Sequence, residues 1–256
     1  MRSPRILLAL AAALVLAAPA GAVNSPARVK AFARLPDWTG IWLSDSEQSD
    51  LGGRTNLRQF RFMEPPPYNP AWEAKHQERL ARMRTKATAE APTIRQCIID
   101  FPATMESPQP FELIVTPEET VFTAGDGTFR HIFTDGRGHP SKDDLWPTIT
   151  GHSTGHWEGE TLVVDSVGFT ADTALGPGWG VRHSDQMHIV ERMHLSAPDT
   201  LEIVTTIDDP KALTKPFTAT KILKRHRDWD IAEYVCEQNN RNLATDKGKA
   251  GIILNH

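Results

Sequence analysis

Asp135, Arg137 and His139 alternate with glycine in Asp135-Gly136-Arg137-Gly138-His139-Pro140, putting an acid, a guanidinium fork and an imidazole on one short loop. Glycine permits the positive φ of a tight turn, so the three side chains are able to converge on its concave side. There Arg137 is suited to grip a carboxylate, phosphate or developing oxyanion, while His139 donates or carries a proton. The same residues also suit a purely structural turn, with Asp135 and Arg137 bracing each other.

Around that loop, residues 130–165 hold four histidines and two tryptophans between strand-like runs. Gly151-His152-Ser153-Thr154-Gly155 matches G-x-S-x-G, with Asp185 and His188 following in hydrolase order. A nucleophile elbow needs a strand, a sharp turn and then a helix. Here His156-Trp157, a turn and another strand follow, which argues against Ser153 as nucleophile. His152 and His156 share one face of a strand but stand about 13 Å apart at roughly 3.3 Å per residue, too far to share one ion. No metal is expected. A metal site would have to be assembled across strands or loops, for example from His131, His139 and His183.

Residues 187–195 alternate Met187, Ile189, Glu191, Met193 and Leu195 on one face with His188, Val190, Arg192 and His194 on the other. Glu191 is therefore a carboxylate on an apolar face. Left unpaired, burial would raise its pKa and suit it to proton transfer. Paired with Arg130 or Arg137, it would instead be a core ion pair that fixes register. If the opposite face lines the cavity, His188, Arg192 and His194 become the candidates. Of the seven tryptophans, Trp42 is assigned to plugging the fold, and Trp146 and Trp157, with His152, to ligand contact.

The elements that must position these groups are mostly strands. Residues 37–42, 111–115, 120–124, 128–134, 149–157, 161–167, 187–195, 200–207, 217–226 and 231–237 read as β, separated by Gly, Pro and Asp turns. That spacing suits an up-and-down antiparallel barrel or a sandwich. Residues 44–70 read as a long loop, and 71–90 as an amphipathic helix with Trp72, Leu80, Met83 and Ala87 on its apolar stripe.

Arg2 and Arg5, the apolar residues 6–18 and Ala20-Gly21-Ala22 have the layout of a secretory signal cleaved after Ala22. The apolar core is shorter than the roughly 20 residues needed to span a bilayer, so no stable membrane insertion is expected. Residues 23–256 then form a single barrel domain, with a helix-containing insertion at about 44–95. A net charge of −4 without a basic stripe excludes nucleic acid as an expected partner. Cys97 and Cys236 are expected to form a disulfide in an oxidising compartment, stabilising the fold by a few kcal/mol.

Gly40-Ile41-Trp42 resembles the G-x-W signature of lipocalin-like (calycin) barrels. Together with Asp37-Trp38-Thr39, Asp135–His139, residues 151–165 and Glu191-Arg192, it is similar to a widespread, uncharacterised family of secreted bacterial proteins. The resemblance implies a mainly β, antiparallel, lipocalin-like barrel with one amphipathic helix, exported to the periplasm, and it transfers no catalytic residue. Two functions stay open. One is a small-molecule enzyme of lyase, isomerase or hydrolase type, with Asp135 or Glu191 as base, His139 or His183 as acid and Arg137 stabilising negative charge. The other is a carrier of an apolar or aromatic ligand. No cofactor is expected.

Overall fold

A computed structural model describes residues 25–44, 66–85, 110–125, 127–173, 175, 182–231, 242–244 and 250–252. Nine strands, β1 (Gly40–Ser44), β2 (Phe111–Val115), β3 (Glu119–Ala124), β4 (Phe129–Phe133), β5 (His152–Glu158), β6 (Thr161–Val167), β7 (His188–Ala197), β8 (Thr200–Asp208) and β9 (Phe217–His226), close into a barrel in chain order. A separate pair, β10 (Asn242–Ala244) and β11 (Ala250–Ile252), is antiparallel.

An all-antiparallel barrel was the expectation, and one pair departs from it. Around the ring, β1 pairs antiparallel with both β2 and β9, and β4–β5 alone is parallel. An odd number of strands cannot alternate direction all the way round a closed ring, so nine strands force a parallel step. Parallel neighbours cannot be joined by a tight hairpin. The chain must instead return along the barrel, and residues 134–151 are that return.

Inward side chains follow from the two-residue period. On β4 these are Arg130 and Ile132, on β5 Ser153, and on β7 Ile189, Glu191 and Met193, all buried. Trp42 is fully buried, donates its indole N–H to the Trp38 carbonyl (2.9 Å), and lies under the Arg225 guanidinium of the last barrel strand at 4.7 Å. Trp38, Leu113, Ile132, Leu162, Met187, Ile189, Met193 and Leu201 complete a core of fully buried large side chains.

Two helices among the described residues accompany the barrel. α2 (Pro70–Thr85) starts at Pro70, one residue before the expected helix, with Asn69 accepting from the Trp72 N–H at 3.1 Å, while residues 86–90 of the expected helix lie outside the described residues. α1 (Pro26–Phe32) was not expected, although Ser25 caps it and Pro26 opens it, both ordinary start signals. No helix among the described residues is long and apolar enough to cross a membrane. Cys97, Cys236, most of the expected strand 231–237 and most of the expected insertion lie outside the described residues.

Candidate functional site

The return segment is held against the outer wall of the barrel. Arg28 of α1 donates to the Asp135 carbonyl (2.7 Å), and Asp135 accepts from the Arg137 backbone N–H (3.1 Å) and guanidinium (2.5 to 3.0 Å). Arg137 also covers the Phe133 ring at 4.1 Å. The hydrogen bond and charge of Arg137 hold the Asp135 carboxyl below its ordinary range. Farther along, Thr148 and Phe169 form a parallel bridge, and Gly151 takes a positive φ of 67° to turn the chain into β5. A β carbon at Gly151 would lie 2.7 Å from the Val167 carbonyl, so glycine is required there.

That path brings His139 against outward-facing residues of β5, β6 and β7. His139 Nε2 is 2.9 Å from Asp165 Oδ1, and His188 Nε2 is 2.9 Å from Asp165 Oδ2. On its other side, His139 Nδ1 meets His152 Nδ1 at 2.8 Å. The four side chains form one line: His152, His139, Asp165, His188.

Proton placement follows from what each atom is able to do. Burial is the largest influence on Asp165 and works to raise its carboxyl, but the hydrogen bonds and charges of His188 and His139 outweigh it and hold the group below the ordinary carboxylate range. An ionised carboxylate only accepts, so both imidazoles present Nε2–H to it. Between His139 and His152 there is room for a single proton. Burial first, then the charges of His139 and Arg137, depress the His152 pKa and keep that ring neutral. Among the described residues, His152 Nε2 and His188 Nδ1 have no hydrogen-bond partner, so the line is open at both ends. His188 and Asp165 remain part-exposed, which leaves room for a reactant.

Other sequence candidates lie elsewhere. Glu191 is inside the barrel and takes the ion-pair alternative, with Arg130 and not Arg137 as partner. Arg130 also donates to Ser153 (3.1 Å) and Ser166 (2.9 Å), whose hydroxyls are 2.8 Å apart. Ser153 therefore faces a guanidinium instead of a base, and β6 follows β5 where a hydrolase elbow needs a helix. His183 is buried in another cluster, bonded to Thr173 and to the Ser184 carbonyl. Trp157 packs edge-on against Trp38 at 5.0 Å, away from the return segment, whereas Trp146 is 84% exposed upon it.

The set His131, His139 and His183 is dispersed, since His131 pairs with Glu119 (2.8 Å) and the other two have the partners just given. No group of three or more His, Cys, Asp or Glu among the described residues is arranged to hold a metal ion. Arg137, His139 and His152 were candidates from the sequence, whereas Asp165 was not. The available signal was an acid at an outward position of the Val-rich strand Thr161–Val167, a pattern shared by any half-solvated strand. No family model, curated protein or solved structure matches this chain.

Proposed function

We propose that this chain is an acid–base enzyme of lyase or isomerase type acting on a small organic molecule at the outer-wall line. One observation carries the reading: a single carboxylate, Asp165, holds two imidazoles while the far nitrogens of the line stay open. His152 Nε2 is the base. As it takes a proton from the substrate, its Nδ1 proton passes to His139 Nδ1, and the imidazolium so formed lies against Asp165. At the other end the acid is the doubly protonated form of His188, which keeps Nε2–H on the same carboxylate and gives a proton back from Nδ1. Asp165 and His139 are positioning residues, because they act through the terminal rings. An oriented acid or base of this kind contributes about 10²- to 10⁴-fold in rate.

The barrel is read as lipocalin-like, which the burial of Trp42 beneath Arg225 supports. Export after Ala22, a periplasmic location, membership of the secreted family and a Cys97–Cys236 disulfide belong to the same proposal. A carrier role draws less support, since the described barrel interior is occupied by large side chains and the Arg130–Glu191 network.

The test uses 5-nitrobenzisoxazole, which loses a carbon-bound proton to a base as its N–O bond opens. The folded protein is expected to exceed the same concentration of free imidazole, and His152→Asn to lose about a hundredfold or more of that rate. Equal rates for the protein, His152→Asn and free imidazole would count against the reading.

A further inference from the structure

A second pair of side chains, away from the outer-wall line, has the geometry of a nucleophile and its base. His183 is 1% exposed, with the Phe169 ring edge-on at 6.1 Å. Its Nδ1 is 2.8 Å from the Ser184 carbonyl oxygen. A carbonyl only accepts, so Nδ1 carries the hydrogen. Burial depresses the imidazole pKa, against the opposing pull of the Ser184 bond, and the ring is neutral. Nε2 is then a lone pair. Thr173 Oγ1, 2.7 Å from Nε2, must be the donor. The Thr170 carbonyl competes for the same hydroxyl hydrogen at 3.1 Å, a longer contact.

The supports on both sides of this bond are specific. Ser184 donates its N–H and its hydroxyl to Asp209, each at 2.6 Å, and Asp209 also accepts from the Ala212 N–H (3.1 Å). Tyr68 bonds both the N–H (2.9 Å) and the carbonyl (2.6 Å) of Arg182, fixing the residue before the imidazole. On the threonine side, Asp172 has φ 60°, the one non-glycine at positive φ among the described residues. Strain of that kind persists only where surroundings enforce it. Here Arg79 grips its carboxylate (2.8 Å), Arg182 its carbonyl (3.0 Å), and its N–H donates to the His183 carbonyl (3.0 Å). The turn presents Thr173 with its hydroxyl on His183, and Thr173 itself is only part-buried.

We propose that Thr173 is a nucleophile activated by His183, with a small carboxylic ester as its substrate class. A hydroxyl, a base within hydrogen-bond reach and a third group orienting the base are the parts such chemistry needs. In the step, Thr173 Oγ bonds to the ester carbonyl carbon and its proton moves to His183 Nε2. The carbon–oxygen bond to the alcohol breaks, and the departing alkoxide takes that proton. Water then attacks the acyl threonine, giving its proton to Nε2, and the carboxylic acid leaves as Thr173 is re-protonated. The inference is independent of the outer-wall line.

The probe is 4-nitrophenyl acetate, applied to the full chain carrying His152→Asn so that the outer-wall base is absent. Expected are a burst of 4-nitrophenolate and one acetyl group, mapped by peptide mass spectrometry to Thr173. Thr173→Ser should retain the adduct. Thr173→Val, nearly the same shape, should abolish it, and His183→Gln should slow it about a hundredfold or more. A purely structural threonine would give no adduct. Absence of acetyl on Thr173 in folded protein, or an unchanged burst in Thr173→Val, would overturn the proposal, and neither result bears on His152.

Discussion

Glu191→Gln isolates the buried ion pair. Glu191 is 1% exposed and Arg130 3%, and the same guanidinium donates to the neutral hydroxyls of Ser153 (3.1 Å) and Ser166 (2.9 Å). Removing one member of such a pair strands a charge in the core and costs about 3–5 kcal/mol. At roughly 2–4 °C per kcal/mol for a domain of this size, the melting temperature should fall by about 6–20 °C. Urea denaturation followed by tryptophan fluorescence reads the difference directly. The double variant Arg130→Met/Glu191→Leu removes both charges and should recover most of the loss, since an apolar replacement of a buried pair is often neutral or stabilising. A Glu191→Gln loss below about 1 kcal/mol, or a double variant no better than the single one, would mean that the pair holds no stranded core charge. Loss of 5-nitrobenzisoxazole turnover at unchanged stability would make Glu191 the base instead.

Two further outcomes follow. Gly151→Ala should destabilise by about 1–3 kcal/mol in urea, because its β carbon meets the Val167 carbonyl and Phe169 at positive φ, whereas Gly138→Ala, with open space around it, should be near neutral. Equal effects would deny the turn its role. His183 and His152 both have folded pKa values below the ordinary 6.5, so the folded state binds fewer protons than the unfolded one. Their contribution is complete above 6.5 and is lost as pH falls through the depressed values. The urea midpoint should therefore drop on acidification below 6.5, less steeply in His183→Gln, and a midpoint flat across that window would contradict the assignment.

Much of the barrel could be read from alternation and turns. The limits of β2, β6 and β9 agree with the expected runs, because each is bounded by strong turn residues. β5 begins at His152 and not at 149, since the Thr148–Phe169 bridge and the positive φ of Gly151 occupy the preceding residues. The parallel β4–β5 pair was not readable: strand direction depends on closure and on the total count, which no local window contains. It is also what turned a polar loop into a return segment and carried His139 to Asp165. The inward phase of Glu191 and Arg130 was accessible from periodicity, and their pairing stood as one of two alternatives. Thr173 lies in a loop without periodic pattern, so its contact with His183 had no signal in spacing.

The claim on which the functional reading rests is that Asp165 holds His139 and His188 through their Nε2 hydrogens, and it is tested most directly by ¹⁵N–¹H correlation spectra of the histidine rings. Expected are Nε2–H on both rings, Nδ1–H on His152, and loss of this ordering in Asp165→Asn. A bare Nε2 on either ring beside Asp165, or spectra unchanged by Asp165→Asn, would contradict it.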